Sequence, residues 1–167
     1  MSEIEVEKVN KVYSFLSFKL GEEYFVVDVS KVIEILEVPK ITKVPKAPEY
    51  MAGVINLRGK VLPLIDTKLK FGMPPINFSV DTCIVVIEIE LEGEIMHVGV
   101  LVDAVLEVIE VDESIIKPSP SIDAKYPLNF IKGMIERGND KNFIMILDIN
   151  EVFSLQEKEA IKNNNIN

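Results

Sequence analysis

Val32-Ile33-Glu34-Ile35-Leu36-Glu37-Val38 returns later in the chain as Val105-Leu106-Glu107-Val108-Ile109-Glu110-Val111, residue class for residue class. Aliphatic and β-branched residues dominate both runs and glutamates interrupt them, a composition that suits strands better than helices. Each run then enters a connection broken by prolines, Pro39, Pro45 and Pro48 in the first case and Pro118, Pro120 and Pro127 in the second, so neither continues as a helix. Further echoes follow in the same order. Gly53-Val54-Ile55 is answered by Gly133-Met134-Ile135, and Leu64-Ile65-Asp66 with Phe71 by Ile146-Leu147-Asp148 with Phe153. Ordered matches imply two similar subdomains, and many short antiparallel strands in each imply two small barrels.

Outward from these runs the chain reads as a series of hairpins. Tyr13 to Lys19 and Tyr24 to Val29 flank Gly21-Glu22-Glu23, and Met51 to Leu57 and Lys60 to Ile65 flank Arg58-Gly59. Asp81 to Leu91 turns at Glu92-Gly93-Glu94 into Ile95 to Val102, where Gly99 marks a bulge or a close backbone approach. Phe130 to Glu136 and Phe143 to Leu147 flank Arg137-Gly138-Asn139-Asp140, and a short helix starts near Asp148, with Glu151 completing a capping box. The expected organisation is all-β with a few short helices: a flexible extension over 1–10, one domain over 11–155 and a frayed tail over 156–167. Within the domain, 11–80 is expected as the first barrel and 81–155 as the second.

With 18 basic and 27 acidic residues, the formal charge is −9. That repels a phosphate backbone or an acidic membrane surface. Lys40, Lys43 and Lys46 cluster without an aromatic stacking platform, so they read as a solvated loop and nucleic acid is not an expected partner. Cys83 is the only cysteine, which rules out a disulfide framework and reads as a strand thiol. Met1 to Lys11 lacks the apolar core of a signal peptide, and no uncharged apolar run is long enough to span a bilayer. A cytoplasmic protein without membrane insertion is expected, so the Asn77-Phe78-Ser79 sequon is coincidental.

The chain offers little material for chemistry. Gly53 to Lys60 approaches a phosphate-cradling loop, but its spacing is one residue too long, Val61 replaces the Ser or Thr, and a strand follows in place of a helix. His97 is the lone histidine and reads as structural. Glu34 and Glu37 fall on opposite faces of a regular strand, which separates them as an acid/base pair. Asp28, Asp66, Asp103 and Asp148 read as turn or capping residues, not as a metal cluster. No catalytic residue, metal or cofactor is expected, although Ser-Lys or carboxylate chemistry is not excluded by counting. Arg58 and Arg137 are the only arginines, and each precedes a glycine at a hairpin tip. Arg137 reads as a solvated turn residue. For Arg58 the planar guanidinium suits bidentate pairing across an interface, beside the plainer reading of a turn residue.

These residues resemble a known family. Val32-Ile33-Glu34-Ile35 followed by Met51-Ala52-Gly53-Val54-Ile55-Asn56-Leu57-Arg58-Gly59-Lys60-Val61-Leu62-Pro63-Leu64-Ile65-Asp66 is similar to the CheW coupling (adaptor) family of bacterial chemotaxis. Val98 to Val108, and Ile131-Lys132-Gly133 with Ile146-Leu147-Asp148, resemble its later signatures. The resemblance implies two SH3-like five-stranded barrels and a non-enzymatic adaptor that is monomeric when free. It implies as partners the regulatory domain of the histidine kinase CheA, paired barrel to barrel, and the cytoplasmic hairpin tips of chemoreceptors, held in an apolar groove between the barrels. Carried over by position, it implies receptor or kinase contact at Arg58, Val32, Glu34, Gly53 and Val108, with Gly53 admitting a partner backbone and Val32 and Val108 either presenting apolar area or filling barrel cores. Thr67, where the family usually has an aliphatic residue, and the acidic N-terminal extension depart from the pattern. A coupling module of a related motility array, and a small barrel enzyme or ligand-binding protein using the cleft between subdomains, stand as alternatives.

Overall fold

The computed structural model describes residues 10–119, 129–138 and 142–164; the flexibility expected for the extension falls on residues 1–9, outside that set. Ten strands run in chain order: β1 (Val12–Leu20), β2 (Glu23–Asp28), β3 (Val32–Glu37), β4 (Met51–Leu57), β5 (Lys60–Asp66), β6 (Cys83–Leu91), β7 (Glu94–Val102), β8 (Ala104–Asp112), β9 (Ile131–Arg137) and β10 (Asn142–Leu147). Among the described residues there are also three short α-helices, α1 (Thr67–Lys70), α2 (Ile149–Val152) and α3 (Leu155–Asn164), and two single 3-10 turns, Val29–Lys31 and Glu113–Ile115. No helix among the described residues is long and apolar enough to cross a membrane.

The strands form two five-stranded sheets curled into half-barrels, β8-β1-β2-β10-β9 and β3-β6-β7-β5-β4. We call them the terminal and the middle sheet. The repeat is visible in their order: β3, β4 and β5 hold in the middle sheet the places that β8, β9 and β10 hold in the terminal one. Each sheet has one parallel pair, β5 with β7 and β2 with β10. The chain beyond the first edge strand bends round to the last one, where Thr42 exchanges both backbone hydrogen bonds with Val54 at 2.8 and 2.9 Å, and Lys117 does the same with Met134.

This topology corrects the boundary expected at 80/81. The β1–β2 hairpin belongs with β8 to β10, and β6–β7 completes the middle sheet. A hairpin is legible from its turn, but the strand that will cover its free edge is not. Here that edge is taken by β8, with Phe15 opposite Ile109 and Leu16 opposite Val108.

Three apolar cores result. Phe15, Val26, Ile109, Ile135 and Ile146 fill the terminal half-barrel, and Ile55, Leu62, Leu64, Ile84 and Val86 the middle one. The largest lies between the sheets and draws Leu16, Phe18 and Phe25 from one and Val85, Ile87, Ile89 and Val98 from the other. This explains the unbroken run Ile84-Val85-Val86-Ile87: even positions face the half-barrel and odd ones the shared core, so both faces of β6 are buried. Gly99 sits opposite Leu64 in the parallel ladder, where a Cβ would lie 2.5 Å from Leu64 Cδ2, so side-chain packing sets this glycine and no bulge occurs at it. Cys83 is half-buried at the start of β6.

Asp28, Asp66, Asp103 and Asp148 serve turns and caps, as expected. Asp66 accepts from Leu69 N at 3.1 Å and Asp148 from Asn150 N at 3.2 Å, at repeated positions; Asp28 accepts from Ser30 N and Asp103 from Gly21 N. Glu151 does not close the expected capping box and accepts instead from Asn129 Nδ2 at 3.1 Å. Thr67 is buried with its hydroxyl donating to the Leu101 carbonyl at 2.8 Å, which satisfies the polar group that sets it apart from the family pattern.

The expected fraying of 156–167 is corrected over the part described. Residues Leu155–Asn164 form α3, which buries Ile161 to 1% exposure in the shared core. It also places Glu157 2.7 Å from Lys70 Nζ on the opposite sheet's helix. Ile161→Ala removes the buried aliphatic anchor of this helix, and a cost of about 2–4 kcal/mol is expected in urea unfolding. Glu157 is electrostatically coupled to its surroundings. Burial opposes its charge, but Lys70 Nζ, the Ser154 N–H and the Tyr50 hydroxyl outweigh it and hold the carboxyl below its ordinary range. Burial and the bond to Glu157 push the Tyr50 hydroxyl up to about 12. A carboxyl depressed in the folded state stabilises above its unfolded pKa, and that contribution is lost as pH falls through the folded value. Glu157→Gln should therefore melt below the parent at neutral pH, with the gap closing on acidification below about pH 4.

Candidate functional site

The β4–β5 hairpin turns through two residues in the left-handed region, Arg58 at φ +52° and Gly59 at φ +83°, the backbone that two-residue hairpins favour. Asn56 Oδ1 accepts from the Gly59 N–H at 2.8 Å and braces the turn. So aimed, the Arg58 guanidinium forms a two-pronged pair with Glu34 of β3: Nη1 donates to Oε1 at 2.9 Å and Nη2 to Oε2 at 2.7 Å. The Arg58 hydrogen bonds, acting against desolvation, hold the Glu34 carboxyl below its ordinary range, with further help from the charges of Arg58 and His97. The same bonds push the Arg58 pKa up. The Arg58 side chain is 72% exposed, so solvent screens the pair and its main effect is geometric: it fixes where both groups point.

Around this pair the middle sheet forms a groove of ≈ 490 Å³ with Ile33, Leu57, Lys60, Val61, Ile95 and His97 in its walls. Ile33 and Ile95 are exposed large aliphatics, at 45% and 63%. A second groove, of ≈ 550 Å³, borders both sheets and is walled by Lys70, Glu90, Glu92, Glu157 and Lys158. The groove at the Arg58 pair thus lies on one sheet, and the groove shared by both sets these charges beside Leu91, Phe130 and Phe153.

Of the five residues expected to make contacts, the structure joins only Arg58 and Glu34 directly. Val32 begins the same strand, half-buried against the shared core. Gly53 has φ +147°, and a Cβ there would lie 2.3 Å from the Thr42 carbonyl oxygen. The close approach that needs this glycine comes from the chain's own 41–42 segment and not, as expected, from a partner backbone. Val108 lies on β8 of the other sheet, 58% exposed, which removes it from the barrel cores and from the Arg58 site alike.

The repeat extends to the pair itself, which the sequence reading missed. Arg137, expected as a plain solvated turn residue, donates to Glu107 at 3.1 Å. Glu34 and Glu107 occupy the same place in the repeated strands, and both arginines precede a turn glycine. That coincidence was the available signal. His97, expected as structural, is exposed on β7 and contributes to the field at Glu34; nothing in its local sequence indicated this, because β7 meets β3 only through the sheet.

The family model for the CheW-like domain matches residues 14–157. The chain belongs to the CheW-like family. It is 36% identical over 145 residues to the probable chemotaxis protein CheW of Rhizobium etli, spanning 87% of this chain and 90% of that protein. The chemotaxis protein CheW of Klebsiella aerogenes is 29% identical over 149 residues, 89% of this chain and 86% of the relative. A crystal structure of the scaffolding protein TtCheW from Thermoanaerobacter tengcongensis superposes with a TM-score of 0.75 at 36% identity, over 89% of this chain and 97% of that one. A CheW-like chain is a chemotaxis scaffold.

Proposed function

We propose that this CheW-like chain is a cytoplasmic adaptor that couples transmembrane chemoreceptors to the histidine kinase CheA, by protein contact alone and without catalysis. The Arg58–Glu34 pair carries this reading. Arg58, at a hairpin tip, is held by both carboxylate oxygens of Glu34 on β3, in a groove shared with exposed Ile33 and Ile95, in a chain whose relatives are chemotaxis CheW proteins. A fixed guanidinium beside aliphatic area is the kind of anchor that dominates protein interfaces. In this reading Arg58, Glu34 and Val32 belong to one partner contact, Gly53 supports it from beneath, and exposed Val108 belongs to a separate contact on the terminal sheet. CheA and a receptor cytoplasmic fragment from the same genome, mixed with this chain, should be recovered together in one complex that neither forms as well alone. Recovery of neither partner would remove the coupling reading.

A further inference from the structure

The chain holds two hairpin turns of the same backbone, and they differ in one bond. The β4–β5 hairpin closes through Arg58 at φ +52° and Gly59 at φ +83°, and the β6–β7 hairpin through Glu92 at φ +50° and Gly93 at φ +82°. Each puts first a residue whose Cβ is strained in the left-handed region. Asn56, two residues ahead of Arg58, accepts from the Gly59 N–H through Oδ1 at 2.8 Å. Glu90 holds that place ahead of Glu92, and among the described residues no side chain is hydrogen-bonded to the Gly93 N–H. A hairpin of this backbone therefore closes without the brace, so closure is not what Asn56 is needed for.

The first residues of the two turns also do different things. Glu92 acts on Lys162 through its charge, without a hydrogen bond among the described residues, whereas Arg58 directs two bonds, at 2.9 and 2.7 Å, to the two carboxylate oxygens of Glu34. Such a two-pronged pair tolerates little change in where the guanidinium starts. The second arginine gives the same contrast. Arg137 is the last residue of β9, still opposite Asn142 in the ladder, and it bonds Glu107 at 3.1 Å through Nη2. Counted from Gly53 and Gly133, the place of Asn56 is held there by Glu136, whose carboxylate is taken by Lys117 at 2.7 Å. The braced arginine in the strained turn makes the two-pronged pair, and the unbraced one makes the longer bond.

From these contrasts we infer that Asn56 is a positioning residue of the partner-binding surface: its side-chain oxygen holds the turn in the backbone that lays the Arg58 guanidinium against Glu34. It acts through Arg58. That Arg58 then meets a partner rests on the coupling reading; that Asn56 sets its place does not.

The full chain tests this in two steps. In the free chain, NMR relaxation gives the order parameter of the Arg58 Nε–Hε bond. Asn56→Ala should lower it, Asn56→Asp, which keeps the acceptor oxygen, should restore it, and the melting temperature should barely move in either. An unchanged order parameter in Asn56→Ala, or a lower melting temperature without loss of Arg58 order, overturns the inference and leaves Asn56 as a residue that only stabilises the turn. Calorimetry with CheA and the receptor fragment follows. For the partner whose binding Arg58→Ala weakens, Asn56→Ala should weaken binding about fivefold, equivalent to about 1 kcal/mol, and Asn56→Asp should recover most of it. In the Arg58→Ala background Asn56→Ala should add nothing; a further loss there would mean that Asn56 touches the partner itself and would overturn the positioning role. Loss of Arg58 order in Asn56→Ala, with neither protein bound by the parent chain, would support the positioning role and discard the coupling reading alone.

Discussion

Arg58→Ala is expected to weaken binding of CheA or of the receptor fragment by about 10- to 100-fold, while the melting temperature barely moves. The two effects separate because the pair with Glu34 is solvent-screened and adds little to stability, yet it fixes a side chain that would otherwise sample many rotamers. Arg58→Lys should recover little, since an ammonium cannot make both bonds at 2.7 and 2.9 Å to the two carboxylate oxygens. A charge-reversed double variant, Arg58→Glu with Glu34→Arg, separates two roles. If the pair acts by bracing the hairpin against β3, binding returns in part. If Arg58 itself touches the partner, binding stays lost. Titration calorimetry on folded variants reads all of these, and unchanged affinity of Arg58→Ala for both partners would remove Arg58 from the site.

Gly53→Ala is expected to cost about 3–4 kcal/mol in urea unfolding, a large effect for the addition of one methyl group. Its φ of +147° is a conformation that side chains rarely adopt, and the new Cβ would lie 2.3 Å from the Thr42 carbonyl oxygen and 2.7 Å from Ile41 Cγ2. The carbonyl cannot retreat without breaking its bond from Val54 N at 2.8 Å, one of the two that close the half-barrel. Gly133 occupies the matching place beside Lys117, with a nearest contact of 2.9 Å and no positive φ, so Gly133→Ala should cost less. A Gly53→Ala protein within about 1 kcal/mol of the parent would mean that the 41–54 closure is not what requires the glycine.

The strands were legible because each carries its own signal. β4 and β5 are declared by the Arg58-Gly59 turn, and β3 and β8 by their shared pattern of aliphatics and glutamates. The Arg58–Glu34 pair was half legible: the rare arginine at a repeated position was visible, but its internal partner lies 24 residues away on a strand that does not pair with its own. The helix α3 was missed because Leu155 to Asn164 is polar overall and docks largely through Ile161, a contact that a periodicity argument cannot distinguish from chance. His97 was set aside because its neighbours in sequence are ordinary strand residues, whereas in space it lines the same groove as Glu34 and acts on its charge.

By itself, then, the amino-acid order determined the ten strands and their hairpin turns, their duplication, the family and the turn that carries Arg58, since all of these are written in local pattern and spacing. Only the tertiary structure decided that β1 and β2 join the C-terminal strands, that the largest core lies between the sheets, and that Arg58 is held by Glu34 as Arg137 is by Glu107. Each of these depends on which strand covers a free edge and which side chains then meet across the sheet. Those pairings are long-range, and nothing in either partner's local sequence names the other.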